Sequence, residues 1–351
     1  MKDVAVVSVA QSDYVRALSH LNEVEMIQPV IRQALDQIGV GISDIGFTCS
    51  GSSDYLAGQA FSFVMTLDAV GAWPPIMESH VEMDGAWALY EAWLKIQAGH
   101  AETALVYSYS KASPGDLPRV LSRQLDPYYY APLWPDSVAL AGLQARAMLD
   151  EHKIDEAEMA GIAHRNREAA RANPHAQIKG SATIDELLAE DYLSDPLRLH
   201  DVPPISDGGV AVVLASAEKA AEWADRPAFI RGIDHRVDSH SFGARDLTRA
   251  PSIATAAEKA GVHDGKIDVA ELHAPFTHQE KIVATELGLG DDVVINPSGG
   301  PLAANAMMAA GLVRIGEVAN RIMAGEADRG VAHATSGHLL QQNLVCVLEG
   351  N

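Results

Sequence analysis

Apolar residues along this chain fall into short continuous runs, separated by longer stretches in which they recur every three or four positions. The first run, Val4–Val9, predicts a strand, and the spacing after it predicts a helix from about Glu23 to Ile38, stopped by Gly39 and Gly41. Ile45–Cys49 reads as a second strand. An apolar helix is expected around Ala60–Leu67, a buried Ala- and Trp-rich helix over Gly85–Gln97, and a further strand over Thr103–Tyr109. Strands alternating with helices in this way build an α/β fold.

The same half then recurs. Ala98-Gly99-His100-Ala101-Glu102, before one predicted strand, matches Ala324-Gly325-Glu326-Ala327-Asp328 before another, at an offset of 226 residues. At that offset Gly85 falls on Gly311, and the helices beginning there correspond along their length. Asp44-Ile45-Gly46-Phe47 likewise answers Asp268-Val269-Ala270-Glu271 at an offset of 224. Two equivalent α/β halves are implied, each with its own sheet, stacked with their apolar helices between them.

Between the halves the composition changes: Pro114, Pro118, Pro127, Pro132 and Pro135 surround a Tyr128-Tyr129-Tyr130 run, and amphipathic helices are expected over Ala139–Asp150 and Ile154–Ala172. Such helices have faces to bury, so this stretch is an inserted loop domain rather than a linker. The expected organisation is an N-terminal half at 1–110, a loop domain at 111–203, and a C-terminal half at 204–351 that opens with the strand Val210–Leu214.

Composition narrows the function. With 48% hydrophobic residues among 351 the chain can bury a sizeable core, and no apolar run approaches the roughly 20 residues of a membrane span. The first residues lack a signal peptide's layout, so the expected compartment is the cytoplasm. A formal charge of −21 argues against a nucleic-acid partner. Basic residues gather at Arg165, Arg167, Arg171 and Lys179, a solvated helix face or a site for an anionic group. Cys49 and Cys346 form neither a disulfide framework nor a metal-ligand spacing, and no metal site is expected.

Candidate chemistry centres on Glu271-Leu272-His273-Ala274-Pro275-Phe276, where the short strand Ile267–Ala270 ends and a helix over Thr277–Leu287 begins. A histidine at that junction sits where open α/β sheets meet ligands. Around it come Ala163-His164-Arg165-Asn166 with Asn173-Pro174-His175-Ala176-Gln177, Asp195-Pro196-Leu197, Ser206-Asp207-Gly208-Gly209, Asn296-Pro297-Ser298-Gly299-Gly300 and Leu340-Gln341-Gln342-Asn343. In this order, on a duplicated α/β chain, they resemble the thiolase superfamily, specifically sterol-carrier-protein-type thiolases and bacterial lipid-transfer relatives.

The resemblance implies a five-layered αβαβα fold, a homodimer, and coenzyme A thioesters as substrates, with coenzyme A part of the substrate and no bound cofactor. It implies contact with the substrate at Arg165, Arg167, Gly299, Gly300 and Gly337. A thiolase carries its nucleophilic cysteine three residues before the glycine that here is Gly85, and that position is Glu82. The family's second cysteine corresponds to His333, the histidine of its Gly-His-Pro loop to Asn305, and only His273 keeps the usual side-chain type. Without a thiolate there is no thioester-linked acyl-enzyme.

Glu82, His273, Asn305 and His333 instead suit acid–base chemistry on an unattached substrate, with His80, Asp84 and His338 behind them. His273 and Asn305 would hold an enolate oxygen while His333 or Glu82 moves the proton. The function implied is retro-aldol cleavage of a β-hydroxyacyl-CoA, with a sterol-type or other bulky acyl group, in an enzyme of lipid or steroid degradation. Relatives that do this act with a small zinc-ribbon and OB-fold partner. Two alternatives stand beside this lyase: acyl transfer with a thiol from elsewhere, Cys49 being the repeat mate of His273, and a silent acyl-CoA-binding subunit.

Overall fold

Ten strands carry the molecule: β1 (Val4–Gln11), β2 (Phe47–Gly51), β3 (Glu78–Val81), β4 (Thr103–Ser110), β5 (Gly208–Ser216), β6 (Ala228–Val237), β7 (Val269–Leu272), β8 (Val294–Ile295), β9 (Arg329–Ser336) and β10 (Gln342–Glu349). They are seen in a computed structural model that describes residues 2–58, 60–71, 73 and 75–350. Their order is β8-β7-β9-β10-β6-β1-β5-β4-β2-β3. Each half therefore repeats one arrangement, β3-β2-β4-β5-β1 and β8-β7-β9-β10-β6, with parallel pairs at its outer end and antiparallel pairs inward. The halves join where β1 meets β6, Ala5 opposite Phe229 and Val6 opposite Ala228. Two separate sheets were expected; this short antiparallel seam makes one continuous ten-stranded sheet.

The strand Gly208–Ser216, expected to open the C-terminal half, hydrogen-bonds instead with β1 and β4 of the first. The reason is topological. The loop domain is inserted before the first half's last strand, so the chain returns from the insertion to complete the sheet it left.

Helices α1 (Glu23–Asp36), α2 (Gly85–Gln97), α3 (Ser137–Asp150), α4 (Glu156–Ala169), α5 (Pro251–Ala260), α6 (Thr277–Leu287) and α7 (Ala310–Met323) complete the layers. One core packs α2 and α7 between the inner faces of both half-sheets. A second joins α5, α6 and the loop-domain helices to the outer face of the C-terminal half, and a third covers the N-terminal half with α1. Both faces of β1, β2, β4, β5 and most of β9 and β10 are buried, which is why they read as unbroken apolar runs rather than alternating ones.

The repeated glycines have a packing reason. A Cβ at Gly85 would lie 2.6 Å from Ser108 Cβ and 2.8 Å from Leu312 Cδ2, and one at Gly311 would lie 2.5 Å from Ala334 Cβ. Both helices thus begin pressed against a strand of their own half, with their N-termini together. Asp84 sits at that meeting point, with Oδ1 accepting the N–H groups of Ala86 (2.8 Å) and Leu312 (3.0 Å) and Oδ2 that of Gly311 (2.8 Å). One buried carboxylate caps two helices.

Candidate active site

His273 directly follows β7, and its placement begins with the strand. The Leu272 N–H donates to Asn296 Oδ1 at 2.7 Å, while Asn296 Nδ2 donates to the buried Glu280 carboxylate at 2.7 Å. Glu271, facing the other way, pairs with Arg314 Nη1 at 2.7 Å and receives Ser298 N–H and Oγ–H at 2.8 and 2.7 Å. The Asn296–Gly300 motif is thereby explained as a brace on the strand end. Gly299 (φ +97°) and Gly300 (φ +60°) fold the backbone tightly against Ala170 and Asn296. Neither lines the cavity described next.

The His273 backbone N–H donates to the His333 carbonyl at 3.0 Å, and its Nδ1 accepts from Thr335 N–H at 3.4 Å. Nδ1 is thus the unprotonated nitrogen, and Nε2–H donates to Asn305 Oδ1 at 3.3 Å. That bond fixes the Asn305 amide: its oxygen faces the histidine and its NH2 group makes no hydrogen bond among the described residues. Burial first, then the neighbouring His333 and Arg314, lower the His273 pKa to about 3, so the ring is neutral at physiological pH.

These groups open onto a cavity of about 370 Å³. Its walls are largely apolar, from Leu117, Pro118 and Leu121, from Val138 and Leu140 of α3, and from Phe276. Glu82, Asp84, His273, Asn305, Gly337 and His338 also line it, six residues that sequence reasoning singled out. The structure does not bring the others there. His333 is fully buried in β9, with Nε2 3.0 Å from Asn343 Oδ1, and it reaches the site through its main-chain carbonyl. His80 stands behind Glu82, Nε2 to Oε2 3.5 Å, and stacks on Phe63. Arg165 is paired with Glu280, and Arg167 also lies outside the cavity lining.

Glu82 itself is half-exposed, and its Oε1 accepts the N–H of Asp54 at 2.7 Å, where the short helix Asp54–Ala57 begins. Neither cysteine lines the cavity. Cys49 and Cys346 lie in the core between the half-sheets, where burial pushes both thiols up. Gln279 lines the cavity and was missed; its buried Nε2 donates to Gln144 Oε1 of α3 at 2.9 Å. The signal for it was the polar run Thr277–Glu280 at the start of the helix that follows the His273 loop.

Two solved structures match nearly the whole chain. The Ltp2-ChsH2(DUF35) aldolase gives a TM-score of 0.81, covering 99% of this chain and 97% of that chain at 18% identity. Human mitochondrial 3-ketoacyl-CoA thiolase gives 0.79, covering 100% and 99% at 16% identity. The chain has the thiolase fold.

Sequence relatives agree with that. Acetyl-CoA acetyltransferase of Methanothermobacter thermautotrophicus is 25% identical over 366 residues, 96% of this chain and 95% of that protein. Human sterol carrier protein 2 is 25% identical over 298 residues, 74% of this chain but 54% of its own length. No family model matches. On the thiolase fold, the expected nucleophile position at the head of α2 is held by Glu82, and the cavity beside it is lined by no thiol among the described residues. Among those residues no helix is long and apolar enough to cross a membrane.

Proposed function

We propose that this thiolase-fold protein cleaves the Cα–Cβ bond of a β-hydroxyacyl-CoA by a retro-aldol reaction, without a covalent acyl-enzyme. The observation that carries this reading is the Asn305 amide, held by neutral His273, whose NH2 group has no hydrogen-bond partner among the described residues and faces a cavity whose described lining holds no thiol. When the bond breaks, its electron pair passes to the α-carbon and the thioester oxygen, and an N–H donor placed at that oxygen stabilises the enolate. One such donor contributes on the order of 2.7–4 kcal/mol to the transition state. The hydroxyl proton leaves to a base on the cavity wall, where Glu82, Asp84 and His338 are the titratable side chains among the described residues besides His273.

A largely apolar cavity suits a bulky, sterol-type acyl group. The homodimer and the small zinc-ribbon, OB-fold partner belong to the same proposal; a partner is supported by the aldolase neighbour, whose name pairs Ltp2 with ChsH2(DUF35). Acyl transfer is the second reading, favoured by the acetyltransferase names of the sequence relatives.

The test offers the protein, alone and with such a partner, β-hydroxyacyl-CoA thioesters of increasing bulk while released ketone or aldehyde is followed. Asn305→Ala should lower kcat by about 10²–10³-fold, and the intact mass should not change during turnover. An acyl adduct on Cys49 would establish transfer instead, and thioester binding without cleavage would make the chain a silent subunit.

A further inference from the structure

The connection between β9 and β10 forms one wall of the cavity and is held in a conformation most residues avoid. Gly337 has φ +74°, but Leu339 and Leu340 both sit at φ +58°. For a residue with a Cβ that costs roughly 1–2 kcal/mol each. Arg245 holds the turn from outside, donating through Nη1 to the Leu339 carbonyl and through Nη2 to the His338 carbonyl, both at 3.2 Å. Asn343 Nδ2 donates to the Leu340 carbonyl at 2.8 Å, and both leucine side chains are buried. Backbone strain of this kind persists only where its surroundings over-determine it, and it gathers at functional sites. The side chain it positions is His338.

His338 Nε2 lies 3.2 Å from the Leu121 carbonyl. A carbonyl oxygen only accepts, so Nε2 carries the proton and Nδ1 keeps its lone pair. Nδ1 makes no hydrogen bond among the described residues. The ring lines the cavity and also an adjoining cleft of about 390 Å³, and Glu82 and Gln124 stand at the same junction. Burial lowers the His338 pKa from the ordinary histidine value, with His240 and Arg245 acting in the same direction. A neutral imidazole, fixed by a carbonyl at one nitrogen and free at the other, is equipped as a general base.

We propose that His338 is the proton carrier of this site, a catalytic residue whose Nδ1 takes the β-hydroxyl proton of the bound thioester. The inference rests on the retro-aldol reading and adds the group that reading left open. The O–H bond breaks toward Nδ1, the Cβ–O bond becomes a carbonyl, and the Cα–Cβ pair remains on the α-carbon as the enolate held by Asn305. The imidazolium then returns the same proton to the α-carbon. The products are the ketone or aldehyde and the shorter acyl-CoA, His338 is neutral again, and no co-reactant is needed.

His338→Gln keeps a donor where Nε2 stood and removes the base. In D2O the wild type should cleave its β-hydroxyacyl-CoA and also exchange the α-hydrogens of propionyl-CoA for deuterium, read by mass spectrometry. H338Q should lose about 10²-fold or more in both rates, with the Kd for propionyl-CoA unchanged. His338→Ala, equally slow, should regain part of both rates when imidazole is added; should H338Q not fold, absence of that rescue overturns the proposal. Wild-type rates in H338Q, or a loss confined to Kd, also overturn it. Exchange that depends on His338 in a wild type that cleaves none of these thioesters would sink the retro-aldol reading and leave the proton transfer standing.

Discussion

His273, His278 and His333 are each enclosed with neutral hydrogen-bond partners: Asn305, Gln144 and Asn343. Burial therefore lowers their pKa values, to about 3, 3 and 4, from an ordinary 6.5. The unfolded chain takes up these protons near pH 6.5 while the folded chain does not. Their stabilisation is present above pH 6.5 and is lost as pH falls toward 3, at up to about 1.4 kcal/mol per pH unit for each ring. Asp84 runs the opposite way, because burial pushes its carboxyl up to about 6 despite three N–H donors, so its contribution grows as pH falls through 6. Burial also raises Glu78, Asp201 and Glu271 in Asp84's direction and lowers His338 in that of the three rings, and the four rings set the expected sign. Urea unfolding should give a lower stability at pH 5 than at pH 7, and a level or rising stability across that interval would refute the neutral-histidine description.

At this scale the sequence was informative where a side chain contradicted its surroundings. Asn305 was legible as a polar residue in an apolar stretch, and His273 as a histidine at a strand end. His333 was not placed correctly by the same logic. On β9, Ala332 and Ala334 face the central helices, whereas Val331 joins the outer core, and His333 lies on Val331's side of the strand. Which face of a doubly buried strand a residue takes is set by the packing of both layers, and neither is visible in a run that is apolar throughout.

Among the elements, α2 was readable to its ends, Gly85 and Gln97, because the Ala- and Trp-rich apolar pattern runs unbroken between them. What was not readable is that Asp84 serves α7 as well, since that contact spans more than 200 residues. Removing the carboxylate strips acceptors from two buried helix starts together. Asp84→Ala should therefore cost about 2–4 kcal/mol, roughly twice an ordinary cap, and Asp84→Asn, which keeps one acceptor oxygen, distinctly less. The urea midpoints of the two variants measure this, and an Asp84→Ala midpoint equal to wild type would refute the double cap. Pairing of β5 with the first half was hidden for a related reason: strand partners are chosen across the insertion, and chain order does not record them.

For the molecule as a whole, the sheet ends on one side at β3, a four-residue edge strand whose residues are all partly exposed. Tyr55, Phe61, Val64, Trp73 and Met77, nearby in sequence, are 47–84% exposed. An edge strand flanked by uncovered apolar side chains is open to pairing with another chain. The proposed homodimer would cover it by setting β3 against its twin, a closed two-fold contact. Light scattering at micromolar concentration should return twice the mass of one chain, and a well-behaved single-chain mass would count against the proposal.

Asp84 also makes the two halves impossible to exchange. At the repeat offset of 226 the residue matching Asp84 is Ala310, so one half supplies the carboxylate and the other only receives it. Two copies of the first half, joined as the two halves are here, would crowd a pair of carboxylates around one set of N–H groups, where both cannot ionise together. Two copies of the second half would leave both helix starts uncapped. An assembly of two identical halves loses its symmetry once one position diverges in this way, and each helix start then depends on a carboxylate that only one half carries.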